Sequence, residues 1–255
     1  MAALLDVSHI RIAFGGVTAL DDVSLTIEPG RIAGVIGPNG SGKTTLFNCI
    51  CGYYRPSGGR ILLEGRDITR LAPHHVARYG IGRTFQSAHL FADLSLYENL
   101  ALAAQTMQVG GSLARGLLAT AEKPSDSLAQ DLLARLGLEA YAEMSPSEIP
   151  VGLAKLGDLG RALATRPKLL LLDEPAVGLN DSERRRLSAV LQELSQNERL
   201  TILIVDHNVG FITALCETIT VLASGRVLSS GTPEEVRRDP DVIQAYLGDD
   251  FVVVP

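Results

Sequence analysis

Residues 37–45, Gly-Pro-Asn-Gly-Ser-Gly-Lys-Thr-Thr, have the types and spacing that bind phosphate. The glycines let the backbone wrap so that its N–H groups point at phosphate oxygens, and the N-terminus of a following helix adds positive potential. In this spacing the lysine meets the β and γ phosphates of a nucleotide, and the next hydroxyl ligates Mg²⁺. We call the segment the phosphate loop, and its candidate nucleotide-binding residues are Gly37, Pro38, Asn39, Gly40, Ser41, Gly42, Lys43, Thr44 and Thr45.

Four leucines at 169–172 are followed at once by Asp173 and Glu174. The run predicts a buried strand, and consecutive side chains of a strand point to opposite faces. Beside a phosphate loop, one carboxylate can hold the magnesium water while the other polarises the attacking water, and phosphoryl transfer to water needs both tasks. We therefore predict Asp173 as a metal ligand and Glu174 as a catalytic residue. In isolation, the same pattern would describe a strand that ends in a solvated acidic turn.

Two further polar residues could join this chemistry. His207 follows an apolar strand predicted at 201–205, and ligands of open α/β sheets bind at the carboxyl ends of the strands. A lone histidine at a strand end is more often structural, so its position alone leaves both readings open. Gln86 follows Arg83-Thr-Phe85 at the entrance to a helical region, and by itself it indicates nothing.

The hydrophobic periodicity predicts the elements that must position these residues. Extended patterns occur at 5–14, 23–27, 31–36 and 60–63, and strands alternate with helices again after residue 160. Between about Phe91 and Ser145 strand signals disappear and helical spacing dominates, with loops expected at 110–112 and 123–125. We predict one α/β domain over residues 1–255, with a nucleotide-binding core at 1–90 and 156–255 and a helical subdomain at 91–155.

Composition narrows the class of protein. The 255 residues carry a net charge of −6, which gives no long-range attraction to nucleic acid or to an anionic bilayer. Three cysteines, an odd number, favour a reducing cytosol over a secreted disulfide framework. The mean hydropathy of +0.18 is high for a soluble protein, yet no run approaches the roughly 20 apolar residues of a membrane span. We expect the excess apolar surface in the core or at an interface.

Together these motifs resemble the nucleotide-binding subunit of ATP-binding-cassette (ABC) transporters, and the resemblance covers nearly the whole chain. It implies an α/β fold, namely a P-loop NTPase core with a RecA-like sheet flanked by helices and an N-terminal antiparallel β part. An inserted helical subdomain completes that fold. The resemblance also implies ATP hydrolysis, with ATP and Mg²⁺ as the bound groups.

The resemblance implies roles residue by residue. Phe14 matches the aromatic residue that stacks on adenine, and Gln86 matches the glutamine that touches Mg²⁺ and links to the helical subdomain. Asp173 matches the magnesium acid, Glu174 the general base and His207 the histidine that contacts the γ-phosphate. The predicted catalytic residues are thus Lys43, Glu174 and His207, and the predicted metal ligands are Thr44, Gln86 and Asp173.

Two family motifs differ in this sequence. The usual signature Leu-Ser-Gly-Gly-Gln aligns with residues 149–153, Ile-Pro-Val-Gly-Leu, so Gly152 is retained as a candidate nucleotide-binding residue. Pro150 lacks the hydroxyl that meets the γ-phosphate across the dimer, and Leu153 lacks the amide side chain. Asn180, in the segment that matches the dimer-contact loop, stands where many relatives have aspartate, which keeps the shape but drops the charge.

The altered signature has a consequence for assembly. Gly157 and Gly160 lie in the helix that should point its N-terminus at the partner's phosphate, and each costs about 1 kcal/mol of helix propensity against alanine. A signature completes the nucleotide site of the partner rather than that of its own chain. We therefore predict an asymmetric heterodimer with a second ABC ATPase rather than a homodimer.

Finer features resemble the ATPases of branched-chain amino-acid importers, in particular Phe14-Gly-Gly, Arg83-Thr-Phe-Gln86 and the ending at 231–248. They imply uptake of branched-chain amino acids or a similar small polar solute. The implied partners are two integral membrane permease subunits, met by the surface around 86–99, and indirectly a periplasmic or extracellular solute-binding protein. The implied location is the cytoplasmic face of the bacterial inner membrane, where the chain is peripheral.

Several alternatives remain open at this point. Urea importers share nearly all of these features, and residues 245–251 with Asp206-His-Asn208 also resemble the ATPase that drives lipopolysaccharide export. The altered signature permits a nucleotide-binding subunit with low turnover. Soluble cassette ATPases of DNA repair carry long coiled-coil insertions and those of translation carry tandem cores, and this chain has neither.

Overall fold

Within residues 3–108 and 124–247, which the computed structural model describes, the chain forms ten strands and nine α-helices. The loop expected at 110–112 lies outside these residues. The strands are β1 (Leu5–Phe14), β2 (Val17–Ile27), β3 (Ile32–Ile36), β4 (Gly58–Leu63), β5 (Arg66–Asp67), β6 (Ile81–Arg83), β7 (Leu169–Asp173), β8 (Thr201–Val205), β9 (Thr218–Ala223) and β10 (Arg226–Gly231). The helices are α1 (Lys43–Ile50), α2 (Pro73–Arg78), α3 (Leu96–Gln108), α4 (Pro124–Leu136), α5 (Val151–Ala164), α6 (Asp181–Glu198), α7 (Val209–Leu215), α8 (Pro233–Arg238) and α9 (Pro240–Leu247).

The amino-terminal part is an antiparallel sheet in the order β2-β1-β4-β5. Strand β1 pairs with β2 from Leu5 opposite Ile27 to Phe14 opposite Val17, and the register shifts at several points along the pair. Alternate side chains of β2 are buried towards its carboxyl end, as expected for a strand with one face on the core. This sheet brings Phe14, at the end of β1, to the rim of the molecule, where its side chain is exposed.

The larger sheet has the order β10-β9-β3-β8-β7-β6, with parallel pairs from β9 to β6 and an antiparallel pair of β9 with β10. Every residue of β3, β7 and β8 is buried, as expected for strands covered on both faces. Because these three strands are adjacent and parallel, their carboxyl ends lie on the same edge of the sheet. The predicted fold class, an α/β P-loop NTPase core with an antiparallel part and an inserted helical region, is confirmed.

Helices α3, α4 and α5 pack against one another and form the helical region. The loop expected at 123–125 is wrong in its described part, because α4 already begins at Pro124, and proline suits the first turn of a helix. Helix α5 is continuous from Val151 to Ala164, so the division predicted between 155 and 156 falls inside one helix.

Gly157 and Gly160 let the three helices approach closely. A Cβ atom at Gly160 would lie 3.0 Å from methyl carbons of both Leu100 on α3 and Leu136 on α4. A Cβ atom at Gly157 would lie 2.9 Å from Leu96. The helix propensity that these glycines cost is therefore offset by close packing of leucine side chains against the bare backbone of α5.

The high mean hydropathy comes mainly from the core. The fully buried strands of the larger sheet account for much of it, as expected. The segment 86–99 contributes less exposed apolar surface than predicted, because Leu96 is buried and Leu90 and Tyr97 pack against the core. Within this segment, the large apolar side chain of Phe91 is exposed, at 57%. Among the described helices, none has the length and apolarity needed to cross a membrane.

The close approach at Gly160 gives a stability prediction. Replacing Gly160 with valine should lower the free energy of unfolding by about 2 kcal/mol, because the added side chain overlaps leucines from two helices in a packed core. Gly210→Val is the matched control, since a Cβ atom there meets its nearest atom, Asn208 Oδ1, at 3.4 Å. Urea unfolding followed by circular dichroism measures both variants. Equal stability of the two would contradict the packing argument.

Candidate functional site

The phosphate loop follows β3 and leads directly into α1. Gly37 has a φ of 153°, and a Cβ atom there would lie 2.1 Å from the carbonyl oxygen of Leu222. Gly42, at φ 105°, would place a Cβ atom 2.7 Å from the carbonyl oxygen of Ala19. Both positions therefore require glycine, because the loop packs closely against the backbone of Leu222 and Ala19.

Lys43 is the first residue of α1, and its side chain is folded back over the loop. Its Nζ donates to the carbonyl oxygens of Gly37, at 2.7 Å, and Pro38, at 3.0 Å. Burial lowers the pKa of Lys43, while the nearby carboxylates of Glu174 and Asp173 oppose that shift. The ammonium group thus lies inside the loop, at the place where phosphate oxygens would be received.

Three further residues of the phosphate loop, Ser41, Thr44 and Thr45, carry hydroxyl groups. The Oγ atom of Ser41 is buried and has no hydrogen-bond partner within the described part of the chain. A buried polar atom without a partner is unfavourable, so the loop is built for an additional group. Thr44 is exposed and Thr45 half-buried at the start of α1, where backbone N–H groups also point outward.

Asp173 is the last residue of β7, and it is 6% exposed. Its Oδ2 atom is 3.3 Å from Nη2 of Arg83, which ends the neighbouring strand β6. Burial raises the pKa of Asp173, and the charge and hydrogen bond of Arg83 act against that rise. The Asp173 carboxylate is therefore buried beside the Arg83 guanidinium group, at the sheet edge next to the phosphate loop.

Glu174 comes next, and its backbone has a left-handed conformation with a φ of 50°. Such a conformation is uncommon for a residue with a side chain and is concentrated at functional sites. The Glu174 N–H donates to the carbonyl oxygen of Val205 at 2.7 Å, which ties the turn to the end of β8.

The structure brings Gln86, Glu174 and His207 together. Nε2 of Gln86 donates to Oε2 of Glu174 at 3.1 Å, and Nδ1 of His207 lies 3.1 Å from the other oxygen, Oε1. The Glu174 side chain is 16% exposed and that of His207 is 55% exposed. Residues from three segments that are distant in sequence therefore converge on one carboxylate.

Phe14 and Gly152 do not contact the group formed by Gln86, Glu174 and His207, and they pack against other parts of the chain. The exposed ring of Phe14 packs edge-on against Tyr54 with 5.1 Å between the ring centroids. Gly152 lies in the first turn of α5, where a Cβ atom would be 2.7 Å from the carbonyl oxygen of Gly178. Gly152 therefore abuts the segment 177–180 rather than the phosphate loop of its own chain.

Asn180 has a structural task that the sequence did not reveal. Its Oδ1 atom accepts from the N–H groups of Ser182 and Glu183 at the start of α6, and Glu183 bonds back to the Asn180 N–H. Asparagine and aspartate cap helices equally well. The exchange of aspartate for asparagine therefore keeps this capping box.

Helix α5 also contacts the site through two side chains. Nζ of Lys155 lies 3.5 Å from the carbonyl oxygen of Glu174, and the buried Asp158 accepts from the N–H of Phe85 at 3.4 Å. Phe85 precedes Gln86 in the chain. The helix that carries the altered signature is thus bonded to the backbone on both sides of the Gln86–Glu174 pair.

Sequence reasoning missed Arg83 and Asp206. Asp206 is fully buried, and its carboxylate accepts from the N–H groups of Asn208, at 2.8 Å, and Ala176, at 3.4 Å. It therefore braces the turn after Glu174 against the turn that carries His207. A signal existed for Asp206, which directly follows the apolar run 201–205, but Arg83 follows only Gly-Ile-Gly and had no such signal.

The predicted metal ligands have suitable chemistry for Mg²⁺. The Thr44 hydroxyl, the Gln86 side-chain carbonyl and the Asp173 carboxylate supply oxygen atoms, which this hard cation prefers. The described residues hold no cluster of three or more His, Cys, Asp or Glu side chains that would suit another metal. The donor set therefore fits a magnesium ion shared with a phosphate.

Comparison with known proteins identifies the class. A family model described as ABC transporter matches residues 20–177, and a model described as branched-chain amino acid ATP-binding cassette transporter matches residues 226–252. The chain belongs to the ABC transporter family and is one of its ATP-hydrolysing cassettes, as predicted from the sequence.

Curated relatives match over almost their full length. The chain is 39% identical to the high-affinity branched-chain amino acid transport ATP-binding protein LivG of Escherichia coli K12, covering 96% of this chain and 98% of that protein. It is 38% identical to BraF of Pseudomonas aeruginosa, with the same coverage. The lipopolysaccharide export system ATP-binding protein LptB of E. coli K12 is 34% identical, covering 98% and 99%.

Solved structures give the same result. A nucleotide-free ATP-binding cassette from an ABC transporter superposes with a TM-score of 0.84 at 30% identity, covering 97% of this chain and all of that one. The ADP conformation of an ATP-binding cassette superposes with a TM-score of 0.82, also at 30% identity, covering 98% and 100%.

The buried Asp206 gives a prediction on pH. Burial raises its pKa above the ordinary value of 3.8, against the opposing hydrogen bonds of Asn208 and Ala176. The folded chain therefore binds the proton more tightly than the unfolded chain, and Asp206 reduces stability as the pH rises through its folded pKa. We expect Asp206→Asn to gain stability relative to the parent between about pH 4.5 and about pH 8.

Urea unfolding at both pH values measures this difference. Asparagine keeps one acceptor for the Asn208 N–H but never carries the charge, so only the pH-dependent part of the difference tests the argument. A difference in unfolding free energy that stays constant, or that falls with pH, would contradict a raised pKa at Asp206.

Proposed function

We propose that the chain is the ATPase subunit of an importer for branched-chain amino acids or a similar small polar solute. The match of residues 226–252 to a branched-chain amino acid cassette model carries the assignment to this branch. The names of the relatives LivG and BraF support it, at 38–40% identity over nearly whole chains, whereas LptB is 34% identical. The second candidate is the ATPase of an exporter such as the lipopolysaccharide export system, because LptB is also similar to this chain.

The proposed reaction is in-line attack of water on the γ-phosphate of ATP. The single observation that carries it is the convergence of Gln86 and His207 on the Glu174 carboxylate beside the phosphate loop. Glu174 positions the water and accepts its proton, while Lys43 offsets negative charge on the β and γ phosphates. Mg²⁺, held by Thr44, Gln86 and Asp173, supplies further neutralisation of phosphate charge when bound.

Without nucleotide, Lys43 and His207 make hydrogen bonds that must break when ATP binds. Lys43 is bonded to the loop carbonyls, and His207 is bonded to Glu174. When the γ-phosphate arrives, Lys43 exchanges loop carbonyls for phosphate oxygens, and His207 turns towards the γ-phosphate. Glu174 is then free to bind the attacking water. Phe14, exposed beside Tyr54, is proposed to stack on the adenine ring.

The altered signature supports the proposal of a heterodimer with a second ABC ATPase. Helix α5 begins after Pro150, which gives it no side-chain cap, and Val151 is 73% exposed at its tip. Leu153 is buried in the core and presents nothing to a partner. Of the signature residues 149–153, only Gly152 matches the family motif, and it lacks a side chain at the end of the helix that would bind phosphate. This chain thus has a full nucleotide site in cis and a weak one to offer in trans.

The remaining partners follow from the proposed transport function. The chain works at the cytoplasmic face of the membrane against two integral permease subunits, and a periplasmic or extracellular solute-binding protein acts through them. Phe91, exposed in the segment that follows Gln86, is the proposed apolar anchor for the permease. Its position lets permease contact reach Gln86 through the backbone between them.

Replacing Glu174 with glutamine tests the reaction and the transport direction together. The variant should bind ATP as the parent does but lose at least about 100-fold in turnover, because the amide cannot accept the proton of water. In a strain lacking the gene, the parent should restore uptake of radiolabelled leucine, and the variant should not. Phosphate release by the assembled transporter and leucine uptake by cells are the measurements.

Glu234→Gln, at an exposed position of α8, is the matched control and should behave as the parent does. Undiminished turnover in Glu174→Gln would overturn the assignment of the base. Normal leucine uptake without the gene, combined with a defect in lipopolysaccharide export, would favour the exporter instead.

The heterodimer proposal has its own test. The isolated chain should hydrolyse ATP at least about tenfold more slowly than the complex with its partner ATPase, since its Glu174 lacks a functional signature opposite it. Pro150→Ser should raise turnover of the complex, because serine both caps α5 and restores the hydroxyl. Pro240→Ser, at the start of α9, controls for loss of a proline. Cooperative hydrolysis by the isolated chain at the rate of the complex would refute the asymmetry.

A further inference from the structure

Arg83 is the buried cation at the carboxyl end of β6. Its side chain is 7% exposed, and its guanidinium group contacts Asn48 and Asp173 and also lies beside the buried Cys51 thiol. Nη1 donates to Oδ1 of Asn48 on α1 at 2.7 Å, and Nη2 lies 3.3 Å from Oδ2 of Asp173 at the end of β7. Arg83 thus connects the helix that follows the phosphate loop to the acid proposed to hold Mg²⁺.

Three aromatic rings lie close to the guanidinium group, and its buried Nε atom has no hydrogen-bond partner within the described part of the chain. The Arg83 carbon Cζ lies 4.8 Å from the ring centroid of Phe85, 5.7 Å from that of Phe47 and 5.8 Å from that of Tyr53. Such rings exclude water and attract a cation to their faces. The guanidinium orientation is therefore determined from several directions, and its contacts with Asn48 and Asp173 form in a region of low dielectric.

The contact with Asp173 is one-sided. Only Oδ2 bonds to Arg83, and Oδ1 makes no hydrogen bond within the described part of the chain. A carboxylate that is held by one oxygen cannot rotate freely about its terminal torsion. The other oxygen is left to serve a ligand that arrives at the phosphate loop.

We propose that Arg83 is a positioning residue, which holds Asp173 by Oδ2 so that Oδ1 is presented to the metal ion of the bound nucleotide. This inference rests on the proposed function, in which Asp173 is the magnesium ligand. Arg83 itself touches neither nucleotide nor metal. Arginine is required rather than lysine, because the planar fork reaches Asn48 and Asp173 at once with a fixed angle between the bonds.

The test compares nucleotide binding with and without Mg²⁺ in the full chain. A fluorescent methylanthraniloyl analogue of ATP is titrated in EDTA and then at increasing Mg²⁺. In Arg83→Met, affinity in EDTA should stay within about twofold of the parent, whereas the Mg²⁺ concentration for half-maximal effect should rise by about tenfold, as is typical when a residue that orients a metal ligand is lost. Arg83→Lys, which keeps the charge and so protects folding, should show an intermediate loss.

Arg60→Met, an exposed arginine of β4 paired with Asp67 at 3.5 Å, is the control and should keep the parent response. An unchanged Mg²⁺ response in folded Arg83→Met would overturn the proposal, and so would full recovery in Arg83→Lys. Equal weakening in EDTA and in Mg²⁺ would show that Arg83 merely supports the loop, which also overturns it.

Asp173→Asn separates this proposal from the function on which it rests. If the Mg²⁺ response is lost in Asp173→Asn but kept in Arg83→Met, the Arg83 proposal alone fails. If Asp173→Asn keeps the parent response, the assignment of the metal ligand fails, and the Arg83 proposal fails with it.

Discussion

The pairing of opposite charges at one buried sheet edge is the interaction on which the site depends. Asp173 and Glu174 lie beside Lys43 and Arg83, and burial alone raises the pKa of the Asp173 carboxyl. Each charge is tolerated because another offsets it. The adjacent parallel strands β3, β8 and β7 produce this arrangement, since they end together and deliver their loops to one place.

The sequence predicts the parts of the site that depend on local chemistry. Glycine spacing identifies the phosphate loop, and a leucine run before two acids identifies the end of β7, because backbone geometry and burial leave few alternatives. Arg83 could not be found in this way. Strand β6 is only three residues long, and its pairing with β7 is a property of the folded chain. The role of Asp206 likewise depends on Ala176, which is 30 residues away in sequence.

The signature helix shows how a local rule can mislead. Glycine weakens an isolated helix, and from the sequence Gly157 and Gly160 read as signs of a degraded motif. In the fold they face leucines of α3 and α4 so closely that an added Cβ atom would require those side chains to shift. The alteration of the motif is real at Pro150 and Leu153, but the helix behind them is a closely packed part of the core. Propensity and packing must therefore be weighed together.

Helix α5 connects its amino-terminal end to the backbone of the nucleotide site. In the proposed dimer its amino-terminal end meets the partner, and its second turn carries Lys155 and Asp158, which bond the backbone at Glu174 and Phe85. A tilt imposed at the tip would displace both backbone segments, and so the glutamine and glutamate of this chain. In the proposed dimer, nucleotide binding at the partner's site and the geometry at Glu174 would therefore be coupled through the tilt of α5, and a coupling free energy acts equally in both directions.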